Sequence, residues 1–333
     1  MRICVVGAGA IGGLLAAKLA RAGEEVSVVA RGAQLAAIRS QGLKLIESDE
    51  PFTAKIAASD RIADLGPQDL IVLGVKAHQL AAAVSDIAPA LDENTLILTA
   101  QNGIPWWYFF KHGGPLEGRR LQSVDPGGIV AARLPVDRVI ASVVYSAAEI
   151  VRPGAIRHIE GDRFSLAEID GAKSERVMAV SEAFTRAGFK APVVSDVRAE
   201  IWLKLWGNLS FNPISALTHA TLEDICRFAP TRALAAEMMS EGQRVGEALG
   251  VRFLISLEKR IAGAEAVGAH KTSMLQDVEA GRAIEIEALL GSVIELGEIV
   301  GVATPHLRAV YALTKLLSAT LEREKGKLTV TPA

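Results

Sequence analysis

The first third of the chain alternates short apolar runs with segments of helical character. Four apolar runs of strand length lie at residues 3–6, 26–30, 70–75 and 96–98. After the first run, residues 14–22 are rich in Ala and Leu and predict a helix that ends before Gly23. Residues 76–88 predict a second helix. Strands that alternate with helices indicate a doubly wound parallel sheet of the Rossmann type.

The pattern changes over residues 139–169. Short β-branched runs are broken there by Pro153-Gly154 and Gly161-Asp162. Such breaks predict antiparallel strands, which we expect to complete the sheet. An amphipathic helix that ends at Gly188 follows.

The rest of the chain has helical periodicity throughout. Ser195-Asp196 is a good N-cap pair for a helix over 197–212, which Pro213 is expected to end. Further helical segments cover 231–249, 254–264, 270–301 with a break at Gly281, and 305–324. The sequence therefore predicts an α/β N-terminal domain over 1–192 and an all-helical C-terminal domain over 193–333.

Composition narrows the class of protein. Half of the 333 residues are apolar, 22% are charged and the formal net charge is −2, which is ordinary for a globular protein. This balance gives no electrostatic reason to expect nucleic acid or a membrane as partner. Cys4 and Cys226 have no metal-ligand spacing around them, so no metal site is predicted. With no secretory signal apparent, we expect a cytoplasmic protein, and a homodimer is possible.

Three glycines after the first apolar run form a G-x-G-x-x-G motif. Gly7 permits a tight turn, Gly9 lets the backbone approach a pyrophosphate, and Gly12 allows close packing of helix and strand. The start of the helix then offers free N–H groups to phosphate. The motif predicts a dinucleotide site formed by Gly7, Ala8, Gly9, Ala10, Ile11 and Gly12. The alternative is a glycine-rich turn used only for packing.

The second apolar run ends in Ala30-Arg31, where an NAD site would usually have an acidic residue. An arginine can instead pair with a 2′-phosphate, so Arg31 favours NADP(H) over NAD(H). A solvent-exposed arginine is the alternative.

Lys76 and Asn102 follow the third and fourth strands, at the edge where ligands bind in such sheets. They could equally be ordinary loop and cap residues.

A polar stripe interrupts the apolar helix that starts at 197. Lys204, Asn208 and Asn212 are spaced four residues apart and share one helix face. A solvent-exposed polar stripe would explain them as well as a functional site would.

The segment 270–289 is rich in polar residues. Ser273 can N-cap a helix there and Glu285 lies near the start of the next helix, so structural and functional roles are both open. For Asp277, Arg282 and Glu287 a structural role is favoured.

Three segments together resemble the ketopantoate reductase family. They are GAGAIGG at the N-terminus, KLWGNLSFNPISALT at 204–218 and KTSMLQDVEAGRAIEIEAL at 271–289. These enzymes are NADPH-dependent 2-dehydropantoate 2-reductases with a Rossmann domain and a helical C-terminal domain. The resemblance implies that Lys204 and Glu285 are the catalytic residues, and we expect Glu285 to bind the substrate rather than to donate the proton. It implies substrate binding by Asn102, Asn208, Asn212, Ser273 and, where some members have asparagine, His270. It implies NADP(H) binding by the loop 7–12, Arg31, Lys76 and Asn102.

The implied function is reduction of ketopantoate to pantoate in pantothenate biosynthesis, with a small 2-oxo acid as the binding partner. Reduction leaves negative charge on the carbonyl oxygen, and Lys204 would supply the proton there. Partial burial should lower the pKa of Lys204 towards working pH. The aromatic segment at 106–110 departs from the family and leaves open another branched or aromatic 2-oxo acid as substrate. A third alternative is a non-catalytic NADPH-binding sensor.

Overall fold

The structure is a computed structural model that describes residues 1–47 and 50–326. The chain divides into two compact units. One unit comprises residues 1–120 and 125–197, and the other comprises Leu121–Val124 and the chain from Arg198 onward.

The first unit contains eleven strands and four α-helices among its described residues. In chain order they are β1 (Arg2–Val6), α1 (Ala10–Arg21), β2 (Glu25–Val29), α2 (Gly32–Gln41), β3 (Leu43–Ile46), β4 (Phe52–Ala54), β5 (Ala57–Ser59), β6 (Leu70–Leu73), α3 (Leu80–Ala83), β7 (Leu96–Thr99), β8 (Val139–Val144), β9 (Ala147–Arg152), β10 (Ala155–Glu160), β11 (Phe164–Glu168) and α4 (Glu175–Arg186).

The main sheet has seven strands in the order β11-β8-β7-β6-β1-β2-β5. All neighbours pair in parallel except β11, which is antiparallel to β8. The strand order reverses at β1, which has β2 on one side and β6 on the other. This arrangement confirms the predicted Rossmann-type sheet. Strands β6 and β7 are buried on both faces, which explains why they are continuous apolar runs rather than alternating ones.

The expectation that strands over 139–169 would complete one sheet is wrong for two of them. Strands β9 and β10 form a hairpin in a second sheet, ordered β4-β3-β10-β9, and β8 is parallel to β7. Helix α1 contacts strands of both sheets. Ile156 of β10 packs so closely on α1 that a Cβ at Gly13 would lie 2.7 Å from Ile156 Cγ1. This long-range packing draws the hairpin away from the main sheet.

The helix predicted over 76–88 is also wrong. The segment has a 3₁₀ turn at Ala77–Gln79, the single α turn α3, and a further 3₁₀ turn at Ala88–Ala90. The Ser85 hydroxyl donates to the carbonyl of Ala82 at 2.9 Å, a local side-chain bond of the kind that competes with helix extension. In contrast, α1 begins at Ala10, inside the glycine motif and earlier than predicted.

The described part of the second unit contains helices joined by turns and loops and no β-strand, as predicted. Its helices are α5 (Val197–Thr218), α6 (Leu222–Arg227), α7 (Ala229–Ala248), α8 (Leu257–Ala266), α9 (Ser273–Glu279), α10 (Ser292–Val300) and α11 (Pro305–Arg323), with a π-helical turn at Glu287–Gly291 before α10.

Helix α5 does not end before Pro213 but continues to Thr218. Proline lacks the N–H that would donate to the carbonyl of Leu209, a loss that often ends a helix. Here Phe211, Ile214 and Ala216 on either side of Pro213 are all buried. Their burial in the core of the second unit outweighs the missing hydrogen bond.

Across residues 1–47 and 50–326, no helix combines the length and apolar character needed to cross a bilayer. The same residues contain no cluster of three or more His, Cys, Asp or Glu side chains able to hold a metal ion.

Candidate active site

The glycine motif forms the turn between β1 and α1. Gly7 has φ +100°, and a Cβ there would lie 2.6 Å from Val75 Cγ1. A Cβ at Gly12 would overlap the carbonyl oxygen of Gly7. At Gly9, by contrast, an added Cβ would meet no atom within 4 Å. The protein therefore needs Gly7 and Gly12 for its own packing, whereas the space at Gly9 fits close approach by a phosphate to the backbone at the start of α1.

Helix α2 supplies a contact to this loop that sequence reasoning missed. The Gln34 amide nitrogen donates to the carbonyl of Ala8 at 2.8 Å, and its oxygen accepts from the N–H of Gly154 at 2.9 Å. Gln34 thus links the glycine turn to the β9–β10 turn. Arg31 precedes α2 at its N-cap position, in extended conformation and exposed to solvent. The only sequence signal for Gln34 is its place in the first turn of the helix after Arg31.

Lys76 and Asn102 lie at the carboxyl edge of the sheet, after β6 and β7, and both are partly buried. Lys76 is the N-cap residue of the short 3₁₀ turn, and its N–H donates to the Gln79 side chain at 3.3 Å. The Gln101 amide donates to the carbonyls of Leu73 and Val75, at 2.6 and 3.1 Å. Gln101, which the sequence did not single out, therefore holds the Asn102 loop against the segment that leads to Lys76.

The aromatic segment that follows Asn102 is largely core. Trp106, Trp107, Tyr108 and Phe109 are all buried. The Trp107 indole N–H donates to the Thr99 hydroxyl at the end of β7, over 3.3 Å. These aromatic side chains, which depart from the family pattern, therefore pack in the interior of the first unit.

In the second unit, the face of α5 opposite the polar stripe anchors the helix. Trp202 and Trp206 are fully buried, and the Trp206 indole N–H donates to the carbonyl of Met239 on α7 at 2.7 Å. On the stripe, Asn212 is buried, while Lys204 and Asn208 are partly buried. The stripe is therefore not the fully wetted surface of the alternative interpretation.

Glu285 acts electrostatically on Lys204, although the two are far apart in sequence. Burial lowers the pKa of Lys204 to about 8, and the negative charge of Glu285 works in the opposite direction. Glu285 is partly buried and comes directly before the helical turn that starts at Ile286. The structure thus combines an ammonium group that can release a proton near neutral pH with a nearby carboxylate.

The sequence suggested that Ser273 caps helix α9, but Ser273 does not do so. Thr272 is the N-cap residue, and its hydroxyl accepts from the N–H of Leu275 at 3.3 Å. Ser273 is the first residue of the helix and is exposed. The main chain of His270 accepts from the N–H of Leu222 at 3.0 Å and so ties the segment before α9 to the start of α6.

The three residues for which a structural role was favoured make structural contacts. Arg282 pairs with Asp277 at 2.9 Å and closes the turn after α9. Glu287 accepts from the Tyr311 hydroxyl at 2.9 Å and pairs with Lys315 at 2.5 Å, which ties the π-helical turn to α11.

These features define a class of protein. Its members have a Rossmann unit of the dinucleotide-binding type and a helical unit in which a lysine and a glutamate interact electrostatically. The chain belongs to the ketopantoate reductase family. Residues 3–171 match the family model described as ketopantoate reductase PanE/ApbA, and residues 196–318 match the model of its C-terminal part.

Individual relatives agree with this assignment. A 2-dehydropantoate 2-reductase of Mesorhizobium japonicum is 56% identical over 319 residues, which cover 96% of this chain and 98% of the relative. A structure from Ralstonia solanacearum MolK2, provisionally described as a ketopantoate reductase, is 41% identical with a TM-score of 0.92, covering 96% of this chain and 98% of the other. D-mandelate dehydrogenase, solved with NADH and anilino(oxo)acetate, is 20% identical with a TM-score of 0.83 over 97% and 99% of the two chains, and so shares the fold.

Proposed function

We propose that this protein reduces 2-dehydropantoate (ketopantoate) to pantoate with NADPH. The observation that carries the proposal is the polar face of α5, where Lys204 has its pKa lowered by burial and lies within the electrostatic influence of Glu285. The 56% identity to a 2-dehydropantoate 2-reductase over nearly the whole chain supports the same reaction.

NADPH, when bound, supplies the hydride that adds to the carbonyl carbon of the substrate. Negative charge then develops on the carbonyl oxygen, and the ammonium of Lys204 stabilises it and donates the proton that completes the hydroxyl. Neutral Lys204 takes a proton back from solvent. One hydride and one proton thus convert the 2-oxo acid into the 2-hydroxy acid.

We assign Glu285 to substrate binding rather than to proton transfer. A carboxylate at neutral pH is a hydrogen-bond acceptor, suited to a hydroxyl group of the substrate. Its charge also keeps the pKa of Lys204 from falling further, so that the ammonium persists near neutral pH. The remaining substrate contacts are assigned to Asn102, Asn208, Asn212, His270 and Ser273.

The cofactor residues are assigned to the first unit. The glycine turn has space for a pyrophosphate at Gly9, and α1 starts directly after it. Arg31 is exposed at the end of β2 and would pair with the 2′-phosphate, which makes NADPH the preferred nucleotide. Lys76 and Asn102 complete the set at the carboxyl edge.

We retain the predicted division into a cofactor domain over 1–192 and a substrate domain over 193–333 as part of this proposal. The cytoplasmic location and the homodimer stay predictions from the sequence.

The deciding experiment measures NADPH oxidation by the purified protein with a panel of 2-oxo acids. The panel contains ketopantoate, 3,3-dimethyl-2-oxobutanoate (which lacks its hydroxyl) and an aromatic 2-oxo acid. We expect kcat/KM to be highest for ketopantoate. Higher values for the aromatic acid would favour the alternative substrate, and the absence of turnover on every acid would favour a sensor.

A further inference from the structure

Four buried side-chain hydrogen-bonding groups in the first unit have no protein partner within the described residues. The hydroxyls of Ser27 and Ser142 lie within strands β2 and β8, whereas the indole N–H of Trp106 and the hydroxyl of Ser146 lie outside the strands. Trp106 is only 7% exposed. Burying such a group without a hydrogen bond is unfavourable, so an unmatched indole N–H indicates a partner that is not part of the chain.

Both groups lie beyond the carboxyl ends of neighbouring strands. Ser146 follows β8, and Trp106 is in the segment after β7. The hydrogen bond from Trp107 to Thr99 brings that segment back to the end of β7. Strands β7 and β8 pair in parallel, with Thr99 opposite Ala141, so the two groups belong to the same edge of the sheet.

The layout of the glycine turn indicates which part of a dinucleotide reaches this edge. Arg31 follows β2, and the pyrophosphate position at Gly9 follows β1. A dinucleotide extends across the point where the strand order reverses. With the adenosine half on the β2 side, the nicotinamide half falls on the side of β6, β7 and β8.

The chemistry of the two groups fits the amide substituent of a nicotinamide ring. An indole N–H is only a donor, whereas a serine hydroxyl can also accept. A carboxamide presents one oxygen that accepts and one NH₂ group that donates. We propose that Trp106 and Ser146 recognise the carboxamide of the nicotinamide ring, Trp106 binding its oxygen and Ser146 its NH₂ group. This inference rests on the proposed function, because it requires NADPH as ligand.

The first test replaces Trp106 with Phe, which keeps the apolar ring and removes the N–H. Dissociation constants are measured by fluorescence titration for NADPH and for 2′-phospho-ADP-ribose, which lacks the nicotinamide. W106F should bind NADPH about 3- to 10-fold more weakly, as expected for one hydrogen bond, and bind 2′-phospho-ADP-ribose like wild type. The matched control is W107F, whose lost N–H bonds Thr99. It should lower the stability of the ligand-free protein and leave both affinities unchanged.

The second test uses Ser146→Ala and the reduced 3-acetylpyridine analogue of NADPH, whose ketone keeps the oxygen and lacks the NH₂ group. S146A should weaken NADPH binding by the same order and leave binding of the analogue unchanged. W106F should weaken both. This pattern assigns each half of the carboxamide to one residue.

Equal losses for NADPH and 2′-phospho-ADP-ribose would mean that the substitutions distort the sheet edge, and the proposal would be wrong. Unchanged NADPH binding by W106F and S146A would also overturn it, since a buried water would then satisfy these groups. If the wild-type protein itself failed to bind NADPH, the proposed function would be wrong. If wild type binds NADPH normally, a negative result for the variants contradicts only the assignment of Trp106 and Ser146.

Discussion

Lys204 carries the most specific residue-level expectation, because we propose that its proton is the one transferred. Burial lowers its pKa to about 8 and Glu285 opposes that shift. We therefore expect kcat/KM for ketopantoate to fall as the pH rises through about 8, when the ammonium of Lys204 in the free enzyme is lost. Glu285→Gln removes the opposing charge and should move this decline to lower pH, as read from the pH profile.

Glu287→Gln is the control for that profile. Its carboxylate binds Tyr311 and Lys315, so the variant should leave the alkaline decline in place. A decline at the same pH in wild type and E285Q would show that another group, and not Lys204, controls it.

The same lysine should destabilise the folded protein at neutral pH. Its pKa is about 8 in the folded state against 10.5 for the ordinary side chain, so the unfolded state holds more protons between these values and stability rises with pH across that window. Lys204→Met should therefore be more stable than wild type at pH 7, by up to about 3 kcal/mol. Urea unfolding at pH 7 and at pH 10.5 measures this. An advantage that does not shrink at the higher pH would contradict the lowered pKa.

Arg31 should determine the choice of nucleotide. A guanidinium–phosphate pair contributes about 1.5–3 kcal/mol, so Arg31→Ala should weaken NADPH by about 10- to 100-fold and leave NADH nearly unchanged. Dissociation constants for both nucleotides measure the effect. Arg39→Ala, an exposed arginine later in α2 that donates to the carbonyl of Ala58, is the control and should change neither constant. Similar losses for NADPH and NADH in R31A would refute the pairing.

At the scale of elements, we expect the β1–α1 turn to separate glycines needed for folding from one needed for cofactor binding. Gly9→Ala adds a methyl group where no atom lies within 4 Å, so the protein should fold with nearly unchanged stability. The methyl would occupy the space proposed for the pyrophosphate, and NADPH affinity should fall by about tenfold or more, the equivalent of one charge-assisted hydrogen bond.

Gly12→Ala should show the opposite balance. Its methyl would overlap the carbonyl of Gly7, so α1 must shift from β1, and the free energy of unfolding should fall by about 1–3 kcal/mol. Urea unfolding without ligand distinguishes the two variants. If G9A were the less stable of the pair, the turn would serve packing alone.

At the scale of the whole molecule, cofactor binding should stabilise the fold independently of Lys204, the lysine that we propose to be catalytic. NADPH at 100 times its dissociation constant should raise the free energy of unfolding by about 2.7 kcal/mol if it binds only the folded state. Lys204→Ala should show the same increase, because Lys204 and the glycine turn belong to different compact units. A smaller increase in K204A would mean that Lys204 contributes to NADPH binding as well as to catalysis.

What the sequence determines by itself is what depends on neighbouring residues. Strands β1, β2, β6 and β7 are recognisable because strands buried on both faces are continuous apolar runs. The turn at Gly7, Gly9 and Gly12 is recognisable because each position requires the absence of a Cβ or benefits from it. The spacing of Lys204, Asn208 and Asn212 likewise places them on one helix face, since helix geometry is regular.

Tertiary structure alone decided what depends on distant partners. The pairing of β10 with β3 follows from packing against α1, and no pattern within 139–169 contains that information. Helix α5 passes through Pro213 because the residues around it are buried. Gln34 and Gln101 hold their loops through backbone carbonyls that are remote in sequence. The pKa of Lys204 depends on burial and on Glu285, which is remote from Lys204 in sequence.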